Sequence, residues 1–199
     1  MNSQMQQARE LVRVQGVLRP RDLKALGLPM VYLSRLEDEG RVERIGRGLY
    51  RSLEIPPTEQ HSLVEACQVV PAAVVCLLSA LRFHNLGTQS PSEIWLAIGN
   101  KDRAPKPRLL PLRIVRFSTT TLTAGVEVHD IEGVRVQVFD PAKTVVDCFK
   151  YRHKVGLDVA LEALRAGWQE RRFTMDQIWR YALVCRMTNV MRPYLEGLT

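Results

Sequence analysis

Four cysteines and four histidines are the side chains best suited to metal or nucleophilic chemistry in this chain, and their spacing argues against both. Cys67, Cys76, Cys148 and Cys185 are scattered without a C-x-x-C pair, and His61, His84, His129 and His153 never fall at ligand spacing with one another. No phosphate-cradling glycine loop, H-E-x-x-H or G-x-S-x-G pattern occurs. The one D-x-K triplet, Asp22-Leu23-Lys24, falls where a solvated helix face accounts for it. Asp130, Glu132 and Asp140 cluster around two candidate strands and are the acidic set nearest to a Mg²⁺ site. Against that reading, Asp140-Pro141 has the form of a helix cap and Glu132-Gly133 that of a turn. No catalytic residue, metal or cofactor is therefore expected.

The basic residues are more informative. The chain carries 28 Lys/Arg against 21 Asp/Glu, a net charge of +7, which suits an acidic partner such as nucleic acid. Lys/Arg outnumber Asp/Glu by ten to seven in residues 1–55, nine to eight in 56–144 and nine to six in 145–199. The excess lies at both ends. Lys101, Arg103, Lys106 and Arg108 project from a proline-rich extended segment, with Arg113 and Arg116 on the strand that follows. They form a candidate second basic surface, although a solvated loop explains them equally well. Arg165, Arg171 and Arg172 beside Trp168 fit the covering of a helix end better than a nucleic-acid surface.

Gly16 to Ser52 supplies the elements that could position such charges. A helix is expected over Ser3–Gln15, with Met5, Ala8, Leu11 and Val12 on one face and Gly16 as its stop. Pro20 opens a short helix through Leu26, Gly27-Leu28 makes a turn, and Pro29 opens a third helix that ends at Gly40. On that helix Leu33 and Leu36 define the buried side with Tyr32 at its flank, while Met30, Val31, Ser34 and Arg35 point outward. Exposed apolar residues near a helix start suit contact with thymine methyls and base edges. Residues 41–45 and 49–51 then read as two short strands joined by Gly46-Arg47-Gly48, where the glycines would let backbone approach a phosphate. The order is that of a winged helix-turn-helix. Met30, Val31, Ser34 and Arg35 are the candidate base readers, and Arg21, Arg44, Arg47 and Arg51 the candidate phosphate contacts.

Pro56-Pro57 mark a domain boundary, giving a DNA-binding domain at 1–55 and a second domain at 58–199 that is helical from about residue 140. There, helices are expected at 59–70 and 79–85, and strands at 94–98, 112–117, 126–129 and 134–138. Further helices follow at 141–152, 157–166, 174–186 and 191–195. The fold class is α+β: an N-terminal winged helix-turn-helix, then a small mixed sheet packed with helices and a helical C-terminus. The apolar run from Val69 to Leu78 is too short to span a bilayer, and the polar Met1–Gln7 stretch has no signal-like pattern. A cytoplasmic protein with reduced thiols, not associated with membranes, is the expectation.

The chain resembles the AbiEi family, the antitoxins of bacterial type IV toxin–antitoxin (abortive infection) systems. One motif is Leu36-x-x-x-Gly40-x-Val42-x-Arg44-x-x-Arg47-Gly48-x-Tyr50. The other pairs Ser79-Ala80-Leu81 with the run from Val136 through Phe139-Asp140-Pro141-Ala142-Lys143-Thr144 to Asp147, and it is the more discriminating. The resemblance implies a non-enzymatic phage-defence protein that binds inverted repeats in its own promoter, represses its operon and counters a nucleotidyltransferase-like toxin. It also implies a contribution of C-terminal basic residues to DNA binding. Two alternatives stay open: a DNA-targeted nuclease or nucleotidyltransferase built on residues 59–199, and a winged-helix regulator that senses a small molecule and has no toxin.

Overall fold

The computed structural model describes residues 3–46, 48–54, 58–104 and 110–198. The chain folds as two compact units, one of residues 1–68 with 129–136, the other of 69–128 with 137–199.

In the first unit, helices α1 (Ser3–Val14), α2 (Pro20–Ala25) and α3 (Val31–Asp38) precede strands β2 (Val42–Gly46) and β3 (Leu49–Ser52). A two-residue strand, β1 (Val17–Leu18), lies in the stretch between α1 and α2 that the sequence pattern leaves as a connection. It pairs antiparallel with β3, so the sheet order is β1-β3-β2. Two residues carry too little periodicity to announce a strand; Val17 opposite Arg51 and Leu18 opposite Tyr50 become one only by pairing. The apolar faces meet in one core of Ala8, Val12, Leu18, Leu23, Leu28, Tyr32, Leu33, Leu36 and Val42. Ser52, buried beside it, donates its hydroxyl to the Val12 carbonyl at 2.8 Å. Helix α4 (His61–Val69) follows.

The second unit is built on a mixed five-stranded sheet of order β6-β5-β4-β8-β7. The strands are β4 (Val74–Val75), β5 (Ile94–Gly99), β6 (Leu112–Phe117), β7 (Val126–Ile131) and β8 (Val134–Phe139). β5 runs parallel to β6 and antiparallel to β4, and β4 runs parallel to β8. The tip of the β7–β8 hairpin groups with the first unit. Six helices complete the fold: α5 (Leu77–His84), α6 (Thr119–Thr123), α7 (Pro141–Lys150), α8 (Arg152–Val155), α9 (Leu157–Gln169) and α10 (Met175–Cys185), with α11 (Thr188–Glu196) closing the chain. Helix α7 is central, buried from Ala142 through Phe149 and packed against α5, α9 and α10. Asp140 caps it by accepting the Lys143 amide at 2.7 Å, and Pro141 occupies its first turn, where no amide hydrogen is needed. Helix α5 stops at Asn85, which takes φ 56°. Asn tolerates that left-handed cap better than most side chains. Among the described residues no helix is long and apolar enough to cross a membrane.

Candidate nucleic-acid interface

The connection between α2 and α3 decides which face of α3 is free. Gly27 adopts φ 69°, a left-handed conformation that a side chain would resist. Leu28 then returns to the core, its amide donating to the Leu23 carbonyl at 2.9 Å. Helix α3 begins at Val31, two residues after the proline expected to open it, because Pro29 and Met30 form the lead-in turn that accepts the Tyr32 and Leu33 amides. Tyr32, Leu33 and Leu36 face inward. Met30 (59% exposed), Val31 (53%), Ser34 and Arg35 face solvent.

The charges around this helix are unevenly compensated. Glu39 accepts Arg9 at 2.8 Å and Arg41 at 3.1 Å; Glu54 pairs with Arg41 and, at 3.3 Å, with Arg13; Glu10 completes the chain with Arg13 at 3.4 Å. The hydrogen bond from Arg9 holds the Glu39 carboxyl below its ordinary value and raises the Arg9 guanidinium. Arg35 is different. Its Cζ lies 5.6 Å from the centroid of the Tyr32 ring, and among the described residues no carboxylate is within ion-pair distance of it. The Tyr32 hydroxyl in turn donates to Gln4 Oε1 on α1 at 3.4 Å.

The candidate phosphate contacts fall into different situations. Arg21 is exposed, with Asp22 no closer than 3.8 Å. Arg44 is exposed and donates to the Gly46 carbonyl at 3.3 Å. Arg51 is held by Glu43 directly across the β2–β3 ladder and by Glu65 at 3.5 Å, so its charge is largely spent within the protein. Arg47 lies outside the described residues.

Of the second basic set, the described members stand in different situations. Lys101 and Arg103 are exposed, while Lys106 and Arg108 lie outside the described residues. Arg113 stands over the Trp95 ring at 5.2 Å and pairs with Glu93 at 3.2 Å. Arg116 Nη1 donates to the carbonyls of Gly99, Asn100 and Asp102, which makes it a staple of the turn after β5. Arg171 and Arg172 close the end of α9, Arg171 at φ 54° and the Arg172 amide donating to the Gly167 carbonyl at 2.9 Å.

Two of the three acidic candidates are engaged elsewhere. The Glu132 carboxylate accepts the Thr58 amide (2.9 Å), the Thr58 hydroxyl (2.8 Å) and His61 Nδ1 (2.7 Å), and its backbone carbonyl accepts the Gly16 amide at 2.9 Å. Asp140 caps α7 and accepts the Tyr181 hydroxyl, and Asp130 is exposed. Among the described residues, no three His, Cys, Asp or Glu side chains gather as a metal site. The polar centre that sequence reasoning missed is the buried Lys143–Asp147 pair, signalled only by opposite charges four residues apart in a helix rich in apolar residues.

Residues 6–52 match the family model described as a transcriptional regulator, AbiEi antitoxin. No curated protein matches the chain. Among solved structures it is similar to the crystal structure of the RV2827C protein from Mycobacterium tuberculosis, with a TM-score of 0.56 and 14% identity over 87% of this chain and 68% of that one. At that identity the likeness concerns fold alone. The likeness to the AbiEi antitoxin and transcriptional-regulator family thus lies in the N-terminal module, residues 6–52.

Proposed function

We propose that the first unit is a winged helix-turn-helix that binds inverted repeats in its own promoter and represses its operon, and that the second unit counters a nucleotidyltransferase-like toxin. The observation that carries the DNA reading is the outward face of α3. Met30 at the N-cap and Val31, Ser34 and Arg35 on α3 are exposed together, after a tight turn and before a hairpin, in the segment that matches the regulator family. Such a helix reads base edges in a major groove, while Arg21, Arg44, Arg47 and Arg51 hold phosphates on either side. Arg51 reaches a phosphate by exchanging Glu43 for it. Binding to the promoter duplex, measured by fluorescence anisotropy against a scrambled duplex, is the direct test. If some six phosphates are neutralised, the slope of log affinity against log salt is about −5. Equal affinity for promoter and scrambled DNA would reject the repressor. The antitoxin role is tested by growth rescue, on co-expression with the product of the adjacent nucleotidyltransferase-like gene. No rescue, or no such neighbouring gene, would reject that part. The protein itself is then a non-enzymatic regulator acting in the cytoplasm.

A further inference from the structure

The uncompensated cation on α3 is also an oriented one. Tyr32 and Arg35 stand three residues apart on α3, the spacing at which helical side chains meet. Arg35 is exposed, its Cζ lies over the Tyr32 ring at 5.6 Å, and Tyr32 is only 4% exposed. The ring is held from behind by α1, through the bond from its hydroxyl to Gln4. Glu39, one turn on, is bonded to both Arg9 and Arg41 and does not draw Arg35 sideways. A guanidinium stacked on an aromatic face keeps its fork of N–H donors directed outward and loses less rotamer freedom on docking. Among base edges in the major groove, guanine alone offers two adjacent acceptors, O6 and N7, matched to that fork.

We infer that Tyr32 is a positioning residue, which holds the Arg35 guanidinium so that it reads a guanine. This rests on the proposal that α3 enters the major groove. Lysine at 35 keeps the charge and loses both the stacking and the fork; a non-aromatic residue at 32 keeps the core filled and frees the arginine to wander.

The test is selection from a random duplex library by the full-length parent and by Arg35→Lys, Tyr32→Phe and Tyr32→Met, with a thermal melt of each. The parent is expected to enrich a site with one dominant G·C pair. Arg35→Lys and Tyr32→Met lose preference at that pair by about tenfold, while the other pairs and the salt slope stay as in the parent; Tyr32→Phe keeps the preference. A purely structural role for Tyr32 would weaken all pairs alike. Arg35 is exposed, so Arg35→Lys keeps the inference falsifiable even where Tyr32→Met fails to fold. Retention of the G·C preference by Arg35→Lys, or by a folded Tyr32→Met, overturns the positioning role alone. If the parent enriches no sequence, the DNA-binding reading falls and this inference falls with it.

Discussion

Lys143 and Asp147, one turn apart on α7, are bonded to each other with no exposure on either side chain. The ammonium lies 4.1 Å from the Phe139 ring centroid and 5.1 Å from that of Phe117, and Cys185 donates to the other carboxylate oxygen at 3.5 Å. Burial raises the Asp147 carboxyl, against the pull of Lys143, and pushes the Cys185 thiol up to about 12. Two charges withdrawn from water are tolerated only while both are present, each compensating the other.

Removing one partner should therefore cost far more than removing both. Asp147→Leu, which strands the ammonium, is expected to destabilise the protein by about 3–5 kcal/mol, and Lys143→Met combined with Asp147→Leu to recover most of that loss. Urea unfolding of the two single variants and the double variant measures the coupling.

Gly16 and Glu132 form a second close pair. A Cβ at Gly16 would stand 2.8 Å from Glu132 Oε2 and 2.9 Å from its Cβ. Gly16→Ala is expected to destabilise by about 1–3 kcal/mol through overpacking. Combined with Glu132→Gly, which removes that Cβ and relieves the φ of 54° at position 132, the loss should be less than additive in thermal melts.

The Glu132 carboxyl carries a pH dependence of definite sign. Burial alone would raise it, but hydrogen bonds from the Thr58 amide and hydroxyl and from His61 outweigh that and lower it. A depressed carboxyl stabilises the fold above its unfolded value, about pH 4.3, and that contribution is lost as pH falls through the lower folded value. Glu132→Gln should be less stable than the parent near neutrality, and the gap between them should narrow as pH drops below about 4. Denaturant midpoints across that range test it; a gap that widens in acid rules it out.

Asp140 joins a cap to a tyrosine. Burial and then the Asp140 carboxylate push the Tyr181 hydroxyl up to about 12. Asp140→Ala should cost about 1 kcal/mol from the lost cap, and Asp140→Asn clearly less, since Asn caps as well as Asp. Thermal melts of the pair separate the two.

Glu43 should restrain DNA binding through Arg51. Glu43→Gln releases one of the two carboxylates that hold this arginine. Binding to all duplexes alike should tighten, and the salt slope should steepen by about one. An unchanged slope would take Arg51 off the list of phosphate contacts.

The first unit was legible because its signals are local. Pro20, Gly27, Pro29 and Gly40 bracket two short helices, and the outward set of Met30, Val31, Ser34 and Arg35 follows from helical angles alone. Asp140-Pro141 announced α7 in the same way, through a cap and a first-turn proline. β1 and β4 were not legible, being two-residue strands made by their partners. The state of each arginine was hidden too: Arg35 stacked, Arg51 neutralised and Arg116 bonded to a turn share one residue type and similar neighbours.

Where helices start and stop, which faces are apolar and which family the N-terminal module resembles could be read from the residues alone, because caps, turns and periodicity act within a few residues. Folding in three dimensions was needed to close Glu132 over Gly16, to shut Lys143 and Asp147 away from water, and to leave Arg35 rather than Arg51 with a free charge. Those outcomes depend on desolvation and on partners up to more than a hundred residues away along the chain, as Gly16 is from Glu132, and such contacts exist only once the chain has folded.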